Sequence, residues 1–210
     1  MTHDHDHTDP HAPIEADMSD GPDYFEVMLH ALQELLVDKG LIGAGEVRAM
    51  LEVIDAVEPS RGAALIARAW TDPAFKQRLL ADGTAAIEEF GIDNYEGTHL
   101  IVIEQTPEVH NLVVCTLCSC YPRPILGLPP DWYKSRAYRA RAVRDPRGLL
   151  REFGTDIPAQ VAIRVHDSNA NMRYLIMPMR PAGSESMTEA ELATLITRDS
   201  MIGVTTAQLP

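Results

Sequence analysis

The sequence predicts an α+β fold, with helices in the first half of the chain and short strands among helices in the second. Up to about residue 98, apolar residues recur at the spacing of one helix face. From His99 onward, short β-branched runs bounded by turn-forming residues replace that pattern. We therefore expect three parts: a disordered tail rich in His and Asp (1–22), a helical region (23–98) and an α/β metal-binding domain (99–210).

The helical region is predicted to contain four helices. The first starts after Pro22 and stops at Gly40, because glycine is common just past a helix end. Asp72 followed by Pro73 is typical of an N-cap and a first helical position. The helix that they begin is expected to carry a dent at Gly83. The apolar repeats place the four helices around 25–36, 47–54, 64–70 and 73–91.

The second half is predicted to contain four strands and several short helices. Asp145 and Pro146 indicate a helix start, and Thr188 with Glu191 matches a capping box. Prolines at 122, 124, 129 and 130 are expected to keep that stretch irregular. The strands are expected at 100–103, 112–114, 161–165 and 174–177, and the helices at 132–144, from 146 to about Gly154, and after Thr188.

Composition narrows the class of protein. The net charge is −13, and residues 1–58 carry fourteen acids and two bases, which argues against binding to nucleic acid. No apolar run is long enough to span a membrane, and the N-terminus lacks the pattern of a secretory signal. Cysteines in such a chain are expected to stay reduced. We therefore expect a cytoplasmic protein whose acidic N-terminal part contacts a protein partner.

All three cysteines lie within six residues, at Cys115, Cys118 and Cys120, directly after a predicted strand. A structural zinc site usually has four protein ligands from two separated pairs, so zinc would need a partner's ligand. A redox CxxC motif typically begins a helix, and the prolines after Cys120 disfavour one there. A single metal held by three thiolates is the interpretation that this spacing favours.

The dipeptide between Cys118 and Cys120 adds further donors. If the amides of Ser119 and Cys120 lose their protons, two sulfurs and two nitrogens form a roughly square plane. Cys115 can then supply an axial sulfur, which leaves the opposite axial position open for water or substrate. Deprotonated amides require a strongly Lewis-acidic trivalent ion, so Co(III) or Fe(III) fits this donor set and zinc does not.

The segment 113–122 resembles the metal-binding motif of the nitrile hydratase α subunit. Further segments are similar to that family: 124–134, 138–141, 145–147 and 198–204. The resemblance implies a helical N-terminal arm followed by a layered α/β domain of the nitrile hydratase α-chain type. It also implies hydration of a small-molecule nitrile to its amide, a β-type partner subunit and a cobalt-loading activator protein.

The resemblance also implies roles for individual residues. Cys115, Cys118 and Cys120 would be the sulfur ligands, with amide ligands from Ser119 and Cys120. Cys118 would be oxidised to a sulfinate and Cys120 to a sulfenate. Catalysis would fall to Cys118, Ser119 and Cys120, with arginines for the oxidised sulfurs supplied by the partner. Thr116 stands where cobalt members have Thr and iron members have Ser, which favours non-corrin Co(III) over Fe(III).

Arg123 departs from the usual pattern, because cobalt nitrile hydratases commonly have Trp there. The γ subunit of thiocyanate hydrolase, a relative with the same motif, resembles this chain at that position and in its His/Asp-rich N-terminus. We interpret Arg123 as a substrate-binding residue, with pairing to a partner carboxylate as the alternative. Other possibilities are a toyocamycin-type nitrile hydratase, which acts on a bulky nucleoside nitrile, and a non-catalytic cobalt-binding or delivery subunit.

Overall fold

The fold is described for residues 24–209 of a computed structural model. This part of the chain contains helices and two small pairs of parallel strands. The helices are α1 (Tyr24–Asp38), α2 (Glu46–Asp55), α3 (Ser60–Thr71), α4 (Pro73–Ala81), α5 (Gly83–Glu89), α6 (Arg123–Leu126), α7 (Asp131–Lys134), α8 (Arg136–Arg144), α9 (Pro146–Glu152), α10 (Glu189–Ala193) and α11 (Arg198–Ile202).

The strands pair in parallel across long stretches of sequence. Strand β1 (His99–Glu104) pairs with β4 (Met172–Met177), and β2 (Val109–Val114) pairs with β3 (Ala162–Asp167). In the second pair, Val114 lies opposite Asp167, so both strands end at the same edge. The cysteine loop follows β2 directly, and this register places it beside the end of β3.

One hydrophobic core joins both strand pairs to helices α3–α11. Helix α5 packs closely against β1, because Gly83 has no side chain there. A Cβ at Gly83 would lie 2.6 Å from the carbonyl oxygen of Leu100. Three tyrosines, Tyr121, Tyr133 and Tyr138, are fully buried near the cysteine loop and form edge-on or tilted ring contacts. The cysteine loop therefore lies directly against the hydrophobic core.

The first two helices contribute nothing to this core. No residue of α1 or α2 is buried, although both carry apolar side chains at helical spacing. Phe25 is 75% exposed and Leu29 is 64% exposed. The predicted apolar face of the first helix thus exists, and in the isolated chain it faces solvent.

The structure confirms the predicted α+β class and most of the predicted elements. All four strands and the helix starts at Pro73 and Pro146 lie where the sequence places them. The capping box of Thr188 and Glu191 is present. The predicted tail at 1–22 lies outside the described residues. None of the helices within residues 24–209 is long and apolar enough to cross a membrane.

Three local predictions are wrong. The helix expected over 132–144 is broken at Ser135, whose extended backbone and side-chain hydroxyl cap α8. Part of the segment expected to be irregular forms α6, because a proline within the first helical turn lacks only an N–H that has no helical partner, whereas 127–130 has neither helix nor strand. The dent at Gly83 is a full break, since the Asp82 side chain caps a new helix there.

Candidate metal centre

The three cysteines converge at the end of β2. Their sulfur atoms all lie within 4.8 Å of one another. The Sγ atoms of Cys115 and Cys118 are 3.5 Å apart, and those of Cys118 and Cys120 are 3.3 Å apart. Cys115 is buried, Cys118 is exposed and Cys120 is intermediate. The cluster thus has a closed side toward the core and an open side toward the surface.

Neighbouring thiols shift the pKa values of Cys118 and Cys120. For Cys118, burial acts to raise the pKa, but hydrogen bonds from the neighbouring thiols and from the amides of Ser119 and Cys120 hold it below its usual value. For Cys120, burial and the Cys118 thiol raise the pKa to about 12. Negatively charged sulfurs this close repel one another, and a bound cation offsets that repulsion. Metal binding therefore favours loss of the three thiol protons.

The donor set fits one metal ion with several sulfur ligands. Within residues 24–209, no histidine or carboxylate lies close enough to join the three sulfurs in a metal-binding group. The nearby His110 is instead buried, and its Nε2 contacts the carbonyl oxygen of Gly203 at 2.7 Å. A structural zinc site with four protein ligands is therefore not formed by the described part of this chain.

Asp167 holds the first part of the loop. Its carboxylate accepts hydrogen bonds from the backbone N–H of Thr116 at 2.9 Å and from the Thr116 hydroxyl at 2.5 Å. Asp167 reaches Thr116 because β2 and β3 end side by side. Thr116, the residue that favours cobalt by its resemblance to the nitrile hydratase motif, therefore also anchors the loop to the neighbouring strand.

Three further side chains fix the loop backbone. Arg139 donates to the carbonyl oxygens of Leu117 at 3.1 Å and Thr116 at 3.4 Å. The Tyr133 hydroxyl donates to the carbonyl oxygen of Cys120 at 2.9 Å. The Tyr138 hydroxyl donates to the carbonyl oxygen of Val113 at 2.6 Å. These hydrogen bonds thus hold the backbone before, within and at the end of the cysteine loop.

Arg123 lies at the start of α6, three residues after Cys120. Its Nε is 3.9 Å from Oε1 of Glu96, and its side chain is 40% exposed. The other oxygen of Glu96 is 3.4 Å from Nε of Arg173, and that Nε also donates to the carbonyl oxygen of Tyr121 at 3.2 Å. Within residues 24–209, the carboxylate that pairs with Arg123 is therefore that of Glu96.

Sequence reasoning missed the residues that support the loop. Asp167 and Arg173 lie on strands or strand ends more than forty-five residues from the cysteines, and only parallel pairing brings them close. A signal did exist for Asp167, since an acidic residue ends a strand that could pair with the one before Cys115. The sequence does not show that these two strands pair, so it could not link Asp167 to the cysteine loop.

Asp167→Ala is expected to weaken the centre. It removes both hydrogen bonds to Thr116, and bonds to an ionised group contribute roughly 1.5–3 kcal/mol each when well formed. Because this pair is exposed, we expect a smaller loss, of about three- to tenfold in kcat, with lower metal content. The readouts are metal per chain and kcat of the complex assembled with the expected partner subunit.

Asp156→Ala is the matched control, because it removes an exposed carboxylate that precedes β3, whose opposite end is the one beside the loop. Thr116→Val should fall between the two, since it keeps the backbone hydrogen bond and loses only the hydroxyl. Wild-type kcat and metal content in Asp167→Ala would show that the anchor has no role.

Comparison with known proteins identifies the family. A family model described as "Nitrile hydratase, alpha chain" matches residues 23–205. The low-molecular-weight cobalt-containing nitrile hydratase subunit alpha of Rhodococcus rhodochrous is 51% identical over 201 residues, which cover 95% of this chain and 97% of that protein. The chain belongs to the nitrile hydratase alpha-chain family.

Solved structures agree with this membership. A recombinant thiocyanate hydrolase with partially modified cobalt centres matches with a TM-score of 0.82 and 41% identity, over 90% of this chain and 92% of that one. A double mutant of the Fe-type nitrile hydratase from Comamonas testosteroni Ni1 matches with a TM-score of 0.81 and 44% identity, over 90% and 94%. The resemblance read from the sequence is thereby confirmed for the nitrile hydratase alpha chain and its fold.

Proposed function

We propose that this chain is the metal-carrying α subunit of a cobalt nitrile hydratase, which hydrates a nitrile to the corresponding amide together with a β-type subunit. The observation that carries the proposal is the convergence of three cysteine sulfurs within 4.8 Å in a chain of this family. The overall reaction adds water across the carbon–nitrogen triple bond, R–C≡N + H₂O → R–CO–NH₂, and involves no net oxidation or reduction.

The metal is proposed to be non-corrin Co(III), with Fe(III) as the less favoured alternative. The ligands would be the sulfurs of Cys115, Cys118 and Cys120 and the deprotonated amides of Ser119 and Cys120. Cobalt is supported by Thr116 and by the cobalt-containing relative from Rhodococcus rhodochrous. When bound, such an ion supplies a Lewis acid that polarises the nitrile.

The chain's own groups are proposed to divide the remaining work. Cys115 is buried and would stay a thiolate, whereas Cys118 and Cys120 are accessible and would be oxidised by dioxygen or a peroxide during maturation, to sulfinate and sulfenate. The oxygen on Cys120 would attack the nitrile carbon and leave in the amide as its S–O bond breaks, with water restoring that oxygen, or a water molecule beside it would attack directly. Tyr133 and Asp167 hold the loop so that this oxygen stays in place.

A partner is proposed to complete the site. The open side of the cluster exposes Cys118, and negatively charged oxygens there need hydrogen-bond donors that arginines of a β-type subunit would provide. The exposed apolar faces of α1 and α2 supply a surface for that subunit. We also propose a cobalt-loading activator protein and a cytoplasmic location, in keeping with three reduced cysteines at synthesis.

The test is activity of the chain co-expressed with its β-type partner in cobalt-supplied cells. We expect nitrile hydration by the complex, little or none by the isolated chain, and oxygen on Cys118 and Cys120 by peptide mass mapping. Cobalt binding without hydration of any nitrile, including a bulky nucleoside nitrile, would favour a metal-delivery subunit. Unmodified thiols in fully active enzyme would remove the proposed roles of the oxidised cysteines.

A γ-type subunit of thiocyanate hydrolase is the second candidate, favoured by Arg123 and by the structural match to that enzyme. Thiocyanate is an anion, and a guanidinium offers it a positive charge with several donors. Turnover of thiocyanate faster than of any nitrile by the co-expressed complex would favour this candidate.

Arg123→Trp tests whether Arg123 binds substrate. If it does, the variant should favour small apolar nitriles over anionic substrates by about tenfold in the ratio of kcat/KM, since each factor of ten corresponds to about 1.4 kcal/mol. Subunit association, measured by gel filtration, should be unchanged. An unchanged substrate ranking with weakened association would assign Arg123 to the subunit interface instead.

A further inference from the structure

Glu96 lies between two arginines beside the cysteine cluster. It is in the turn between α5 and β1, and its side chain is 16% exposed. One carboxylate oxygen is 3.9 Å from Nε of Arg123 and the other is 3.4 Å from Nε of Arg173. A single carboxylate therefore faces two guanidinium groups.

Both arginines are connected to the segment that follows Cys120. Arg173 donates a hydrogen bond to the carbonyl oxygen of Tyr121, the residue next to Cys120. Arg123 is three residues after Cys120 and begins α6. We name these three side chains the Glu96 triad (Glu96, Arg123 and Arg173). Their charges thus act close to the sulfur of Cys120, on which oxygen is proposed to react.

The triad is not electrically balanced. Two guanidinium groups and one carboxylate leave a net positive charge, and the side chain of Arg123, the residue interpreted as substrate-binding, is 40% exposed. The distances are those of ion pairs, and Oε2 of Glu96 is buried without a hydrogen-bond partner. The adjacent Tyr95 hydroxyl is likewise buried and has no hydrogen-bond partner. Glu96 therefore acts on the arginines mainly through its charge.

We propose that Glu96 is a specificity-determining residue, which offsets part of the positive charge of Arg123 and Arg173 and thereby lets the site accept neutral as well as anionic substrates. This inference rests on the proposed function, because it places the substrate near Cys120 and Arg123. The ligands concerned are small nitriles, and their charge is the property that Glu96 senses.

Glu96→Gln keeps the side chain's size and removes its charge. The charge of Glu96 acts on a nearby ligand through space, and partial exposure and salt reduce its effect. We therefore expect anionic ligands to bind about three- to tenfold more tightly to Glu96→Gln, with neutral ligands changed by less than about twofold. Arg123→Gln should shift the same ratio in the opposite direction.

The experiment uses the assembled, cobalt-loaded complex and ligands matched in size. KM is measured for 4-cyanobenzoate and 4-cyanobenzamide, which differ in charge. Dissociation constants are measured by calorimetry for benzoate and benzamide, which carry no nitrile and cannot be hydrated. Glu108→Gln is the control, because it removes an exposed carboxylate at the opposite end of β2 from the cysteines.

The outcomes separate this inference from the proposed function. Tighter benzoate binding in Glu96→Gln, with benzamide and the Glu108→Gln control unchanged, supports the inference even if no nitrile is hydrated. Equal changes for benzoate and benzamide would reduce Glu96 to a structural residue, and no change for either would overturn the proposal. Absence of nitrile hydration in the wild-type complex would contradict the proposed function alone.

Discussion

Replacing any one of Cys115, Cys118 or Cys120 by alanine is expected to abolish both cobalt binding and hydration. The three sulfurs lie within 4.8 Å of one another and share one proposed ion, so the loss of one donor breaks the chelate. We expect kcat to fall by more than about a thousandfold, since the Lewis acid and the reacting oxygen are lost together. Cobalt per chain, measured by elemental analysis, should fall in parallel.

Leu117→Ala is the matched control for these variants. Leu117 lies inside the same loop, is 86% exposed, and contributes only its carbonyl oxygen to the contacts that hold the loop. Its truncation should leave cobalt content and kcat close to those of the wild type. A cysteine variant that keeps both cobalt and activity would exclude that cysteine from the centre.

Charges on the apolar face of α1 are expected to prevent assembly with the partner subunit. Leu32 and Leu35 are 52% and 50% exposed and lie on the same side of the helix. In Leu32→Asp/Leu35→Asp, burial of two carboxylates at an interface should weaken association by more than about a hundredfold, because unpaired buried charges are very costly. Hydration activity should be lost with it, as read by co-purification and a nitrile assay.

The chain itself should still fold in this double variant, because no residue of α1 belongs to the core. Val27→Asp/His30→Asp is the control, since it adds the same charges on the opposite side of α1. If both double variants associate with the partner as tightly as the wild type, α1 is not part of the interface.

The element types were largely predictable from the sequence, because helix and strand periods are local signals. Strand β2 and the helix start at Pro73 could be placed from a few neighbouring residues. The break at Ser135 could not, since a serine within a helical pattern becomes a cap only when packing turns the chain there. Likewise, periodicity shows that α1 has an apolar face but not whether that face is buried within the chain.

The site was predictable only as far as it is local. Three cysteines within six residues suffice to predict the metal centre, because no fold is needed to bring them together. The supports of the loop depend on tertiary structure: Asp167 on the pairing of β3 with β2, and Arg173 on the pairing of β4 with β1. Glu96 depends on the turn before β1 meeting the start of α6. These pairings are non-local, so the residues they assemble carry no motif.

The coordination of the metal in the assembled complex tests the central claim most directly. X-ray absorption at the cobalt edge, on protein with about one cobalt per chain, reports the ligand types around the ion. The account predicts a low-spin trivalent ion with three sulfur ligands from Cys115, Cys118 and Cys120, and two nitrogen ligands from the amides of Ser119 and Cys120. A tetrahedral zinc or cobalt site without amide nitrogens, in complex that is fully active, would contradict it.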